Sequence, residues 1–121
     1  MNLREIDRLV AEKVMGWIPQ REIQDRILYV LQDGTHVALG WNPTANISDA
    51  WQVVEKMKRS NFSARHRFVT ELQKEVTPKE LKDKNQLLDL GWMIFYLTPK
   101  SICLAALKAV GVDVNDYLQM S

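Results

Sequence analysis

A chain of 121 residues, 46% apolar and 26% charged, is sized for a single domain over 1–121 that buries roughly two thirds of its unfolded surface. Sixteen basic and fifteen acidic residues leave a formal charge of +1, which argues against a broad basic face for nucleic acid. No apolar run approaches the roughly 20 residues that span a bilayer, and the lone cysteine, Cys103, excludes an intrachain disulfide and fits a reducing cytoplasm.

The N-terminal MNLREIDRLVAEKV mixes acids with bases and is not expected to be a signal peptide. Asn2 can cap a first helix whose apolar residues Leu3, Ile6, Leu9, Val10 and Val14 recur at helical spacing. Gly16 ends it and Pro19 prevents its resumption. RILYVLQDGTHVALGW then reads as two strands joined at Asp33-Gly34, a turn whose residues accept positive φ. Ile27, Tyr29 and Leu31 face one way, Leu28 and Val30 the other, as in a sheet covered on both sides. A second helix is predicted from about Ile47 to Arg59, capped through Asn46 and Asp49, with Ile47, Ala50, Val54 and Met57 inward. FSARHRFVTELQ alternates Phe62, Ala64 and Phe68 against Arg65 and Arg67 and reads as a strand. TPKELKDKNQ is a short helix or a mobile insertion, and LGWMIFYL a strand apolar on both sides. Thr98-Pro99 opens a last helix with Ile102, Ala106, Leu107 and Val110 inward and Gly111 as its stop. The order α-β-β-α-β-β-α, echoed by VAEKVM and VVEKMK at the start of each half, gives an α+β protein. Layer rules make it a mainly antiparallel sheet with helices packed on it, an α/β/α sandwich.

Catalytic chemistry finds little support. There is no P-loop, no G-x-G-x-x-G and no nucleophile elbow. His36, His66 and Cys103 lie on separate elements without metal-ligand spacing. No catalytic residue, metal or cofactor is expected. The carboxylates of EIDR and SDAW sit in first helical turns, where the macrodipole favours them. Three positive features remain. The helix entrance at Asn46–Asp49, flanked by Asn42, Thr44 and Ser48, fits either plain capping or a phosphate held by free N–H groups. Lys56, Lys58, Arg59, Arg65 and Arg67 form either a solvated cluster or an anion site. Trp17 and Trp41 stand at loop edges beside glycines, where a ring can stack on a base or on a partner, whereas Trp51 fits the core. Together these describe a site for a nucleotide-like ligand. A second helix entrance, Thr98 to Ser101 with Lys100, is an alternative phosphate seat.

LVAEKVMGW, NPTANISDAWQVVEKM and SICLAALKAVGV carry a family likeness. The sequence resembles small phage and prophage proteins with the phage ABA sandwich domain, some of which look like the Thoeris anti-defence proteins of phages. The resemblance implies an α/β sandwich and a non-enzymatic sponge, in the host cytoplasm, that sequesters cyclic ADP-ribose-type immune signals. It also implies a homo-oligomer. On this reading Trp17 and Trp41 stack on the base, while the N–H groups near Asn46 and Ser48, with Arg65 and Arg67, hold the diphosphate. Such relatives hold cyclic oligonucleotides at a separate site through two arginines one turn apart on the last helix; the nearest positions here are Leu104 and Lys108. The rival reading is a non-enzymatic accessory protein that binds a host protein through exposed aromatic residues.

Overall fold

The computed structural model describes residues 2–114. Asn2 holds extended backbone and its Oδ1 accepts the Glu5 N–H at 2.9 Å, so helix α1, Leu3–Leu9, begins at the expected cap. Its continuation widens into a π-helical turn over Val10–Val14. Met15 N–H donates to Val10 O at 3.0 Å and Trp17 N–H to Ala11 O at 2.9 Å. The helix carries Ile6, Val10 and Val14 inward, leaving Leu3 exposed. Gly16 then turns at φ +75°, a conformation a side chain would strain.

Three antiparallel strands follow in the order β1-β2-β3: β1 Ile18–Ile23, β2 Arg26–Val30 and β3 His36–Leu39. Strand β1 was not expected, because Pro19 reads as a breaker. A proline is tolerated on an edge strand, where half of the N–H groups face away from the neighbour. Pro19 pairs with Tyr29, and a bulge follows before Arg21. Gln24 and Asp25, at φ +49° and +66°, make the tight turn into β2. The Asp33-Gly34 turn joins β2 to β3 as expected, with Asp33 Oδ1 accepting the Thr35 N–H at 2.9 Å. Tyr29, Ile27 and Ala38 pack on the core from one face, and Leu28 and Val30 are buried on the other.

The remainder is helical: α2 Ile47–Lys58, α3 Phe62–Val76, α4 Lys79–Asp83, a 3₁₀ helix over Leu90–Phe95, and α5 Pro99–Ala109. Two expected strands are therefore corrected, and the second helix–strand–strand unit does not form. In FSARHRFVTELQ the alternation hides a longer period: Phe68, Leu72 and Val76 recur every fourth residue and are buried, and the Asn61 side chain caps the start by accepting the Ala64 N–H. LGWMIFYL is too exposed for a covered strand: Phe95 is 74% and Ile94 69% accessible. On α2, Ile47 is exposed and Val53 takes the inward place beside Ala50 and Met57. On α5, Ile102, Ala106 and Leu107 are inward as expected, but Val110 is exposed. Cys103, Ala105, Ala106 and Ala109 are also buried there, and these small side chains let α2, α3 and the π turn pack closely on α5. The fold class is α+β, an antiparallel sheet with helices packed on it. No described helix is long and apolar enough to cross a membrane.

Candidate functional site

The loop leading into α2 closes on itself. Pro43 is fully buried, and the Ala45 and Asn46 N–H groups both donate to Asn42 O, at 3.1 and 3.0 Å. Asn46 Oδ1 accepts the Asp49 N–H at 3.0 Å, and Asp49 Oδ2 accepts the Asn42 N–H at 3.0 Å. Asn46 is thus a cap, and an anion at this entrance would meet the Asp49 carboxylate. The phosphate seat expected there is not built. Thr44 is tied instead to α1, its N–H donating to Asp7 Oδ1 at 2.9 Å in a buried bond.

Trp41 is 7% exposed, and its indole N–H donates to Gln52 Oε1 at 2.8 Å. Its ring meets Trp17 edge-on, with centroids 4.7 Å apart and planes at 64°, and meets Tyr29 at 6.4 Å and 82°. Edge-to-face packing of this kind sets the negative face of one ring against the positive edge of the next. Trp41 is therefore a wall, not an open stacking platform. Trp17 is half-buried, and the ring that reaches solvent beside it is Trp51, 51% exposed. This corrects the assignment of Trp51 to the core: the inward stripe of α2 is Ala50, Val53 and Met57, and Trp51 lies about 100° from Ala50 around the axis.

Trp17, Trp51, Ser48, Gln52, Lys56 and Arg59 line a cleft of about 500 Å3, inside the roughly 300–1,000 Å3 range of small-molecule sites. Glu55 is its one acid. Lys56 and Arg59 have no ion-pair partner among the described residues. Two indole rings, a hydroxyl, an amide and two free cations can hold a flat anionic molecule. They offer no nucleophile held against a base.

The other expected ligand residues lie elsewhere. Arg65 is exposed on α3, and the Arg67 guanidinium donates to Lys108 O at 3.0 Å, closing the last turn of α5. Lys108 is paired with Glu75. Lys100 is exposed, while Ser101 is buried in a reciprocal cap: Ser101 N–H donates to Thr98 Oγ1 and Thr98 N–H to Ser101 Oγ, both at 3.0 Å. That entrance is closed as well. None of Arg65, Arg67, Lys100 and Lys108 lines the cleft. Leu104 packs against the core. Burial pushes the Cys103 thiol up to about 12, with the charge of Asp7 adding to it. Among the described residues no cluster of three His, Cys, Asp or Glu side chains is placed to hold a metal.

Residues 8–107 match the profile of the phage ABA sandwich domain. The chain belongs to that family. Searches of curated proteins and of solved structures return no match. The family region includes the closed loop, the Trp17–Trp41 pair and the whole α2 side of the cleft. Sequence reading missed Trp51 as an exposed ring and, just ahead of the family region, Asp7 as a buried acid. Both carry a phase signal. Asp7 falls on the inward stripe with Val10, Ala11 and Val14, at i, i+3, i+4 and i+7, which marks a carboxylate turned toward the core.

Proposed function

We propose that this member of the phage ABA sandwich domain family is a non-enzymatic phage accessory protein that binds and sequesters a cyclic ADP-ribose-type nucleotide. It acts in the host cytoplasm as a homo-oligomer. The observation that carries the reading is the Trp17–Trp51 cleft with Lys56 and Arg59, which have no ion-pair partner among the described residues. A purine base stacks on an indole with about 1–3 kcal/mol per base, and Lys56 and Arg59 complement a diphosphate. Tight capture without turnover needs these groups and no activated nucleophile. The test is calorimetric titration with each cyclic ADP-ribose isomer, followed by mass spectrometry of the released ligand. A saturable isotherm with one isomer, weakened by Trp51→Ala and by Lys56→Ala/Arg59→Ala and returning the ligand intact, is the expected result. Absence of heat across the set removes the reading, and a hydrolysed ligand removes its non-enzymatic part.

A second reading has its own observation. Trp92, Ile94, Phe95 and Tyr96 expose large side chains together on the 3₁₀ helix and just after it. Grouped aromatic surface of this kind anchors protein partners. Recovery from host lysate of one stoichiometric protein, lost on Phe95→Asp and unaffected by Trp51→Ala, would favour a host-protein target.

A further inference from the structure

Trp41, which touches Trp17 at the edge of the cleft, also lines a second hollow of about 590 Å3 with Asp7, Tyr29, Thr44, Arg26 and Asn42. One buried polar atom in this hollow, Thr44 Oγ1, lacks a hydrogen-bond partner, and it lies beside a buried acid and a buried phenol. Asp7 is buried and accepts the Thr44 N–H, yet it has no ion-pair partner among the described residues. Burial pushes its carboxyl above the ordinary aspartate value. A carboxylate offers roughly four acceptor positions, so most of its capacity is unused by backbone. The Thr44 hydroxyl lies near enough to draw the Asp7 pKa down a little, but it makes no hydrogen bond of proper geometry with any group. The Tyr29 hydroxyl belongs to one of the largest fully buried side chains, and it is raised to about 12 by burial and then by Asp7. Thr44 Oγ1, the one buried side-chain polar atom among the described residues left without a hydrogen bond, calls for an occupant.

The rim supplies a positive charge. Gly40 sits at φ +72°, and a Cβ there would come within 3.1 Å of the Arg26 Cδ. The bare backbone lets the Arg26 stem lie across it. Its guanidinium has no ion-pair partner among the described residues, whereas Arg4, also on the rim, is tied to Glu22 and to Asp25 O. We infer that this second hollow binds a phosphorylated sugar, its vicinal hydroxyls on Asp7 and the Thr44 and Tyr29 hydroxyls and its phosphate on Arg26. A hydroxyl both donates to a carboxylate and accepts from a neighbouring hydroxyl, which an ammonium group cannot do. Desolvating a hydroxyl also costs far less than desolvating a cation. The Trp41 ring gives the apolar wall against which the C–H face of a sugar rests.

The site stands apart from the Trp17–Trp51 cleft, and its test uses other ligands. ¹H–¹⁵N spectra of the ¹⁵N-labelled protein in a phosphate-free buffer are followed on addition of ribose 5-phosphate, 2-deoxyribose 5-phosphate, inorganic phosphate and AMP. Ribose 5-phosphate is expected to shift the Thr44 amide and the Trp41 indole N–H. The 2-deoxy sugar and inorganic phosphate are expected to bind about tenfold more weakly or worse, because each leaves part of the polar floor unpaired. Asp7→Asn keeps an acceptor for Thr44 and should lower ribose 5-phosphate affinity about tenfold, with Arg26→Ala as a second, surface variant that lowers it similarly. Trp51→Ala should leave these shifts intact. AMP binding as well as ribose 5-phosphate points to the ribosyl phosphate of a nucleotide as the source, and AMP excluded points to a free sugar phosphate. Equal binding of the ribose and deoxyribose phosphates, or no shift at about 10 mM, a concentration at which even millimolar affinity registers, overturns the site. Either of those results leaves the nucleotide reading of the other cleft untouched.

Discussion

Replacing Asp7 by alanine tests whether α1 and the loop into α2 are fastened as the structure shows. The substitution removes the acceptor of the buried Thr44 N–H, a 2.9 Å bond between residues 37 apart in sequence. A hydrogen bond to a charged group contributes about 1.5–3 kcal/mol, and a buried donor left without a partner costs a comparable amount. Relief of the buried carboxylate offsets part of this, since burial holds Asp7 above its ordinary value. A net loss of about 2 kcal/mol follows. At roughly 2.1 cal/mol/K per residue, unfolding this chain carries about 0.25 kcal/mol/K of entropy, so the melting temperature should fall by about 8 °C. Asp7→Asn keeps the acceptor and should lose no more than about a third of that. The pH dependence has a definite sign. The folded chain holds the Asp7 proton more tightly than the unfolded chain does, whose value lies near 3.8. The favourable contribution of Asp7 is therefore complete below that value and is lost as the pH rises through the raised one. The stability of Asp7→Asn relative to the parent should accordingly grow across this window. Calorimetric melts and urea titrations at stepped pH measure both effects. An Asp7→Ala protein melting within about 2 °C of the parent, or a relative stability that falls with rising pH, refutes the reasoning.

Trp51→Ala, on an exposed helix face, should weaken nucleotide binding by about tenfold or more while stability stays within about 0.5 kcal/mol of the parent, checked by calorimetry and urea melts. Thr98→Ala breaks the reciprocal cap of α5 and should cost about 1 kcal/mol, seen as a melting point about 4 °C lower. Cys103, fully buried with its thiol raised to about 12, should stay unreactive toward a disulfide-exchange reagent at about pH 8, near the ordinary thiol value, and react at once in denaturant. Ile94→Glu and Phe95→Asp, both at highly exposed positions, should leave the melting temperature within about 2 °C of the parent.

Local signals were read well where local chemistry decides. Asn2 and Asn46 act as the expected caps, Thr98-Pro99 opens the last helix and Asp33-Gly34 turns the hairpin, because each needs only neighbours within a few residues. The misreadings share a cause. Phe62 to Phe68 contains both a period of two and a period near four, and only the surface of α5 selects the second, by giving Phe68, Leu72 and Val76 something to pack on. LGWMIFYL carries strand composition but has no neighbouring strand among the described residues to complete its hydrogen bonds, and it coils into a 3₁₀ helix. Pro19 lies in a strand because that strand is an edge. The family was legible through its blocks around both tryptophan loops and the last helix.

Sequence alone determined the class of the fold, the caps at Asn2 and Asn46, the hairpin turn, and the presence of indole rings and cations in number. Tertiary structure decided which of these meet. Arg65 and Arg67 looked equivalent to Lys56 and Arg59 along the chain, but the inward phase of α2 places Lys56, Arg59 and Trp51 beside Trp17, whereas Arg67 closes α5. The phase of α1 turns Asp7 inward, but its partner is supplied only when the loop 37 residues later folds over it. Partnership across such separations depends on packing phase and chain reversal, which no short stretch encodes.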